Sequence, residues 1–263
     1  MEQLMQYLNE NLPVLLLIFA RISAFFVSAP LFSYRNIPIL NKIIISAALA
    51  FFASFTIDIE KELAIDWTYF LLIIKEAMVG VGIGLVAMLI LYAVQVAGGL
   101  IDFQMGFAIA NVVDPQTGIQ TPLLGQFFYV LALLFLLSVD GHLILLDGIF
   151  HSYAFIPVDK WFFPFADGQV AKHITQAFVQ MFIIAFQMAV PVVASLFLVD
   201  IALGFIARTV PQVNVFVVGL PIKIFVSLIV LLVSFSVIFS MVNYMFKEMF
   251  TVMKTLMRLI GGA

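Results

Sequence analysis

The sequence predicts an all-α, polytopic helical membrane protein with long, kinked helical hairpins and a non-standard topology. Three observations carry that prediction. Of the 263 residues, 64% are hydrophobic and only 10% are charged, with a mean hydropathy of +1.19. An ordinary soluble domain is roughly 45–50% apolar and about 25% charged, so lipid or other embedded subunits must be part of the solvent. The apolar residues also form continuous runs, several of them longer than the roughly 20 residues a spanning helix needs. Finally, the runs do not alternate with the period of a membrane strand, and backbone groups in lipid must be satisfied within each segment, which selects helices.

Six stretches approach spanning length. The first covers residues 12–30, with Asn11 as its expected N-cap and Pro13 in its first turn, where a missing N–H costs nothing. Residues 42–57 form a second, short stretch that fits a tilted or buried helix. The third runs from Trp67 to about Ala97 and is long enough to span with residues to spare. A fourth covers about Leu123 to Leu146. The fifth runs from about Ile174 to Ala207, with Pro191 predicted to kink it, and the sixth from about Val213 to Phe246, with Pro221 near its start.

The connections are unequal. Residues 58–66 are short and acidic, while residues 152–173, with Trp161, Phe162, Phe163, Pro164 and Phe165, read as an interfacial loop. The first ten residues carry Glu2 and Glu10 and no Lys or Arg, and Arg21 interrupts the apolar run behind them. That is not the pattern of a cleaved signal peptide, so the first apolar segment is expected to persist. With six spans, Lys61, Lys160, Lys172, Lys247, Lys254 and Arg258 fall on one side and Arg35, Lys42, Arg208 and Lys223 on the other. The positive-inside rule then slightly favours a cytoplasmic C-terminus.

Arg21, Lys75, Glu76, Asp200 and Lys223 lie within or beside the apolar stretches. An unpaired charge at mid-bilayer costs at least about 2.5–3.5 kcal/mol on insertion scales, so these groups should face protein or water. An ion or proton path and interhelical pairing are both open; the scatter and mixed sign favour pairing. Lys75 and Glu76, being adjacent, are expected to point about 100° apart on a helix. Gly80 and Gly84 form a GxxxG after Glu76, a spacing that lets two helix backbones approach closely.

The segment AGGLIDFQMGFAIANVVDPQTGIQTP, residues 97–122, is too apolar at its start for a solvated loop and too polar at its end for a lipid-facing helix. A pore-plugging loop, closing by excluding water, and a packed re-entrant turn are both compatible with it. The segment ARTVPQVNVFVVGLPIKI, residues 207–224, reads as a broken helix bracketed by Pro211 and Pro221.

Catalytic patterns are absent from the sequence. The chain has no cysteine, its three histidines lack metal-ligand spacing, and no nucleotide-binding or nucleophile-elbow motif occurs. Neither an enzyme nor a cofactor is expected. A net charge of −3 gives no argument for nucleic acid.

The runs GGLIDFQMGFAIANVVDPQTG and RTVPQVNVFVVGLPIKI, together with Glu76 and the glycines after it, resemble the FliR family of flagellar biosynthetic proteins, which includes the equivalent subunit of injectisome type III secretion. The resemblance covers essentially the whole chain. It implies a single export-gate domain in the bacterial inner membrane, within the flagellar basal body. A FliP-like part over residues 1–175, including a plug loop at 99–122, would be followed by a FliQ-like helical hairpin over 176–263. The implied partners are FliP-like and FliQ-like subunits, the large export-gate protein FlhB, unfolded flagellar substrates and membrane lipid. The resemblance places the plug around Gly106 to Pro115, with Met105, Phe107 and Ile109 as apolar stoppers, Gly106 as a flexible point, and Asp114 and Pro115 at its far end. It assigns structural roles to Glu76, Gly80, Gly84, Arg208, Pro211, Asn214, Phe216, Gly219, Pro221 and Lys223.

Three readings follow. A non-enzymatic channel subunit predicts a hetero-oligomer with the loop in a lumen. A stand-alone ion-coupled transporter predicts inverted repeats and an essential midplane carboxylate, and the sequence shows no repeat. A membrane-embedded enzyme needs clustered polar groups at one depth, and His142 and His151 have only Asp140 and Asp147 near them.

Overall fold

The computed structural model describes residues 2–34, 36–57, 66–107, 122–161, 168–212 and 214–262, with backbone alone for residues 2–11. Seven helices occupy these residues: α1 (Glu2–Ser28), α2 (Ile39–Ser54), α3 (Trp67–Met105), α4 (Leu123–Ser138), α5 (Gly141–Phe155), α6 (Gly168–Thr209) and α7 (Val215–Gly261). The described residues contain no strand.

All six apolar stretches fall on helices, but not as six spans. Among the described residues, only α3, α6 and α7 are individually long and apolar enough to cross a membrane. The fourth stretch breaks after Ser138 into α4 and α5, giving four crossings if that pair counts as one. The break has a local cause. Asp140 sits in the left-handed region at φ 55°, which Asp tolerates better than most residues, and Gly141 follows it.

Two helix boundaries correct the sequence reading. α1 begins at Glu2, so Asn11 does not cap it and Pro13 lies inside it. The preceding turns are rich in Glu, Gln, Leu and Met, strong helix formers that offset the single hydrogen bond a proline removes. α3 continues through Gly98 and Gly99 to Met105 rather than ending near Ala97. Those glycines stay helical because α4 approaches them closely: a Cβ on Gly98 would lie 2.4 Å from the Gly125 Cα. Part of the expected interfacial loop is also helical, since α5 extends to Phe155 and α6 starts at Gly168; residues 162–167 lie outside the described set. Pro191 lies within α6, where the carbonyl of Pro191 accepts a 2.8 Å bond from Ser195 Oγ.

The chain divides into two compact units. The first comprises Met1–Leu89, Val139–Ala177 and Glu248–Ala263. Here α2 packs on α1, and the core includes Ile18, Ile22 and Phe25 of α1, Ile83 of α3, Ile149 of α5 and Leu256 of α7. The second comprises Ile90–Ser138 and Phe178–Lys247. Its core includes Val94 and Ile101 of α3, Phe128 and Leu136 of α4, and Ile184 and Met188 of α6. Phe135 of α4 packs against Phe239 and stacks on Phe246 of α7, with ring centroids 4.5 and 5.7 Å apart.

Burial differs sharply between the long helices. The most apolar window of α3 is 61% buried, against 33% for α6 and 22% for α7. Large side chains such as Phe186, Phe197, Phe205, Phe216, Phe225 and Leu232 stand exposed along those two helices. Contiguous apolar surface on this scale marks a face that meets lipid or protein.

Candidate functional site

In the first unit the chemistry converges on Arg21, Lys75 and Glu76, all fully buried. Arg21 reaches Glu76 as a fork: Nε donates to Oε2 at 2.5 Å and Nη2 to Oε1 at 3.0 Å. Nη1 donates to Ser152 Oγ at 2.9 Å, and Nη2 also donates to the Ile156 carbonyl at 2.8 Å. The guanidinium carbon lies 4.1 Å above the Tyr153 ring, a cation–π contact that strengthens where water is absent. Lys75 Nζ lies 2.8 Å from Glu76 Oε1 and donates to the carbonyls of Pro157, Val158 and Lys160 at 2.7, 3.2 and 3.0 Å.

Lys75 and Glu76 therefore do meet, against the expectation from their adjacency. The lysine's four-carbon stem is long enough to curl back and share the carboxylate that Arg21 holds. Two cations against one carboxylate leave an excess positive charge. Carbonyls at and beyond the C-terminal end of α5 meet it, the end that carries the helix's negative partial charge. The cluster thus ties α1, α3 and the α5 terminus at one buried point.

Gly80 and Gly84 stand one and two turns further along α3. A Cβ on Gly80 would lie 2.2 Å from the Arg21 carbonyl oxygen, and one on Gly84 would lie 2.1 Å from Ser28 Oγ and 2.8 Å from the Ala29 nitrogen. α1 thus lies backbone to backbone on α3, and that approach brings Arg21 within reach of Glu76.

The second unit brings together the two long motifs singled out in the sequence. Asp200 of α6 pairs with Lys223 of α7 and accepts a 2.9 Å bond from Gln104 Nε2 of α3. Gly106 follows with φ 90°, and a Cβ there would lie 2.7 Å from Leu220 Cδ2. A Cβ on Gly219 would meet Leu203 Cδ1 at 3.0 Å. The stem of the 97–122 segment is therefore seated against the start of α7. Its other stem is held as well: Leu124 N donates to Asp102 Oδ2 at 2.9 Å, and a Cβ on Gly99 would touch Pro122 at 3.3 Å.

Of the expected plug residues, Met105 ends α3 and is fully buried, and Phe107 is half-buried. Ile109, Asp114 and Pro115 lie outside the described residues. In the second motif, Arg208 is exposed in the last turn of α6 and Pro211 lies in the break behind it. Asn214 caps α7, its Oδ1 accepting from Phe216 N at 3.1 Å and Val217 N at 3.4 Å. Phe216 is 83% exposed. Pro221 lies within α7, so the break is confined to the Pro211 side. Tertiary pairing also engages residues the sequence left unassigned: Ser152, Tyr153, the carbonyls of Ile156, Pro157, Val158 and Lys160, and Asp102. Their only local signal was a polar side chain or a helix end beside an apolar run.

These features define a multi-pass helical membrane protein whose charges at Arg21, Lys75, Glu76, Asp200 and Lys223 are all engaged in ion pairs. The family described as bacterial export proteins, family 1, matches residues 12–249, and the chain belongs to it. The flagellar biosynthetic protein FliR of Bacillus subtilis is 59% identical over 217 residues, covering 82% of this chain and 84% of that protein. FliR of Escherichia coli is 26% identical over 227 residues, 86% and 84% of the two chains. The Yop proteins translocation protein T of Yersinia pestis is 33% identical over 211 residues, 79% and 80% of the two chains.

Proposed function

We propose that this chain is a non-enzymatic subunit of the flagellar type III protein export gate in the bacterial inner membrane. It forms a gated channel for unfolded flagellar proteins with FliP-like and FliQ-like subunits, beside the large gate protein FlhB. Residues 1–175 supply the FliP-like part and residues 176–263 the FliQ-like hairpin. Family membership and the higher identity to a flagellar relative than to a Yop translocation relative support the flagellar assignment. The observation that carries the channel reading is the meeting of the loop stem with the start of α7 around Asp200. A segment pinned at Gln104 and Gly106 on one side and at Pro122 and Leu124 on the other can occupy a pathway without the long helices rearranging. Phe107 and Ile109 close it by excluding water, and Met105 anchors it in the core.

The exposed faces of α6 and α7 are where the other gate subunits pack. The transporter alternative needs a free midplane carboxylate, and Glu76 and Asp200 are both held by cations. The test is an in-frame deletion within Gly106–Pro115, with ion leakage measured across vesicles that hold the assembled complex. Leakage should rise well above wild type. Unchanged conductance in a complex that still assembles would remove the plug assignment.

A further inference from the structure

In the second unit one residue, Asp102, meets the chain both where it leaves α3 and where it enters α4. Its backbone carbonyl accepts the Phe107 amide at 3.0 Å, while the Phe103 carbonyl accepts the Gly106 amide at 3.2 Å. That pair of bonds, with Gly106 at φ 90°, is a Schellman close to α3. The Asp102 carboxylate serves the returning chain: Oδ2 accepts the Leu124 amide at 2.9 Å, one of the amides that the first turn of α4 cannot pair within the helix. The side chain of an aspartate is long enough for this because the backbones are close, Gly98 lying against Gly125 and Gly99 against Pro122.

A carboxylate is a demanding group to bury here. Asp102 is 3% exposed, and its Oδ1 has no hydrogen-bond partner among the described residues. The positive partial charge at the start of α4 offsets part of that cost. A buried polar atom left unpaired calls for an explanation. The other contact of the loop stem is built differently. Gln104 binds Asp200, whose side chain is 36% exposed, and the paired Lys223 is 20% exposed. Water can replace the Gln104 bond when it breaks. Parting Leu124 from Asp102 strips a buried carboxylate and a buried amide of their partners.

We infer that Asp102 is the fixed root of the plug: it clasps the end of α3 to the start of α4 in the closed and in the open gate alike, and the contact at Asp200 is the one that gives way. Asp102 is thus a positioning residue for gating. Its backbone sets the exit from α3 and its side chain sets the entry to α4, so the two stems stay together whatever the chain between them does. The inference rests on the plug reading and deepens it.

The test measures ion leakage from vesicles that hold the assembled complex, with the Gly106–Pro115 deletion as the open reference. Asp102→Ala should leak about tenfold more than wild type, the worth of one hydrogen bond to a charged group. Asp102→Asn keeps an acceptor for the Leu124 amide and gives up only the oxygen without a partner, so it should stay tight. The stems can also be joined covalently. The chain has no cysteine, and a Cβ on Gly99 would lie 3.8 Å from the Pro122 Cβ, close to the mean of about 3.8 Å in disulfides. Oxidised Gly99→Cys/Pro122→Cys should reseal the Asp102→Ala gate, and reduction should reopen it. In the otherwise wild-type chain, cells treated with a thiol oxidant should still export flagellar protein at the wild-type rate. That arm decides the matter even if Asp102→Ala fails to assemble: export that stops on oxidation and resumes on reduction would overturn the fixed root. A tight Asp102→Ala complex beside a leaking deletion, even one with a lowered melting temperature, would overturn the clasp and leave the plug reading standing. A tight deletion would remove the plug reading and the proposal with it.

Discussion

Glu76→Gln is the most informative single substitution in the first unit. The carboxylate accepts from Arg21 Nε through Oε2, and from Arg21 Nη2 and Lys75 Nζ through Oε1. A glutamine keeps the shape but has one acceptor and one donor. With its oxygen toward Arg21 Nε, its NH2 faces Arg21 Nη2 and Lys75 Nζ. Turned the other way, the NH2 opposes Arg21 Nε. Either orientation sets donor against donor and leaves two buried cations without a counter-charge. Removing one partner of a buried pair costs about 3–5 kcal/mol. At about 2–4 °C per kcal/mol for a chain of this size, the melting temperature should fall by ~6–20 °C. The assay is thermal unfolding of the detergent-solubilised protein, with retention of the assembled complex followed in parallel. A variant melting within about 2 °C of wild type would refute the argument that the carboxylate holds this junction together.

Other substitutions test separate joints. Gly80→Val and Gly84→Val should separate α1 from α3 and lower folded yield strongly, while Gly204→Ala, with open space around its Cβ, should express normally; membrane-fraction immunoblots distinguish these outcomes. Asn214→Ala should destabilise the α7 N-terminus by about 1 kcal/mol and Asn214→Asp should restore it, read as hydrogen exchange at Phe216 and Val217. Gly106→Ala should strain a backbone at φ 90° and press on Leu220, giving raised ion leakage in the vesicle assay without loss of the long helices. Asp66 accepts from the Thr68 hydroxyl and from the Tyr69 and Thr68 amides, which hold its carboxyl below the usual value of 3.8. Because the folded value is depressed, this cap is fully present above pH 3.8 and is lost as pH falls through the folded value. Amide exchange at Thr68 and Tyr69 should accelerate in that acid range and not at neutral pH.

The helical architecture was legible because hydropathy and run length are local properties. All six apolar stretches lie on helices, and the GxxxG spacing pointed to a close approach at Gly80 and Gly84. Less legible was how long each helix runs. α3 persists through Gly98 and Gly99 because Gly125 of α4 packs on the first and Pro122 on the second, tertiary contacts with no local signal. The break at Asp140 was missed because Ser138–Gly141 is a brief polar interruption in a strongly apolar run. Adjacency on a helix separated Lys75 from Glu76 in principle, but side-chain reach overrode it. The carbonyls beyond α5 that receive Arg21 and Lys75 carry no sequence signature, since every residue has one.

Isolation of the chain from its native membrane in mild detergent, with identification of every co-purifying subunit, tests the central claim most directly. The exposed apolar faces of α6 and α7 predict a stable hetero-oligomer containing FliP-like and FliQ-like chains. A monodisperse, folded monomer that retains no partner would contradict the export-gate account.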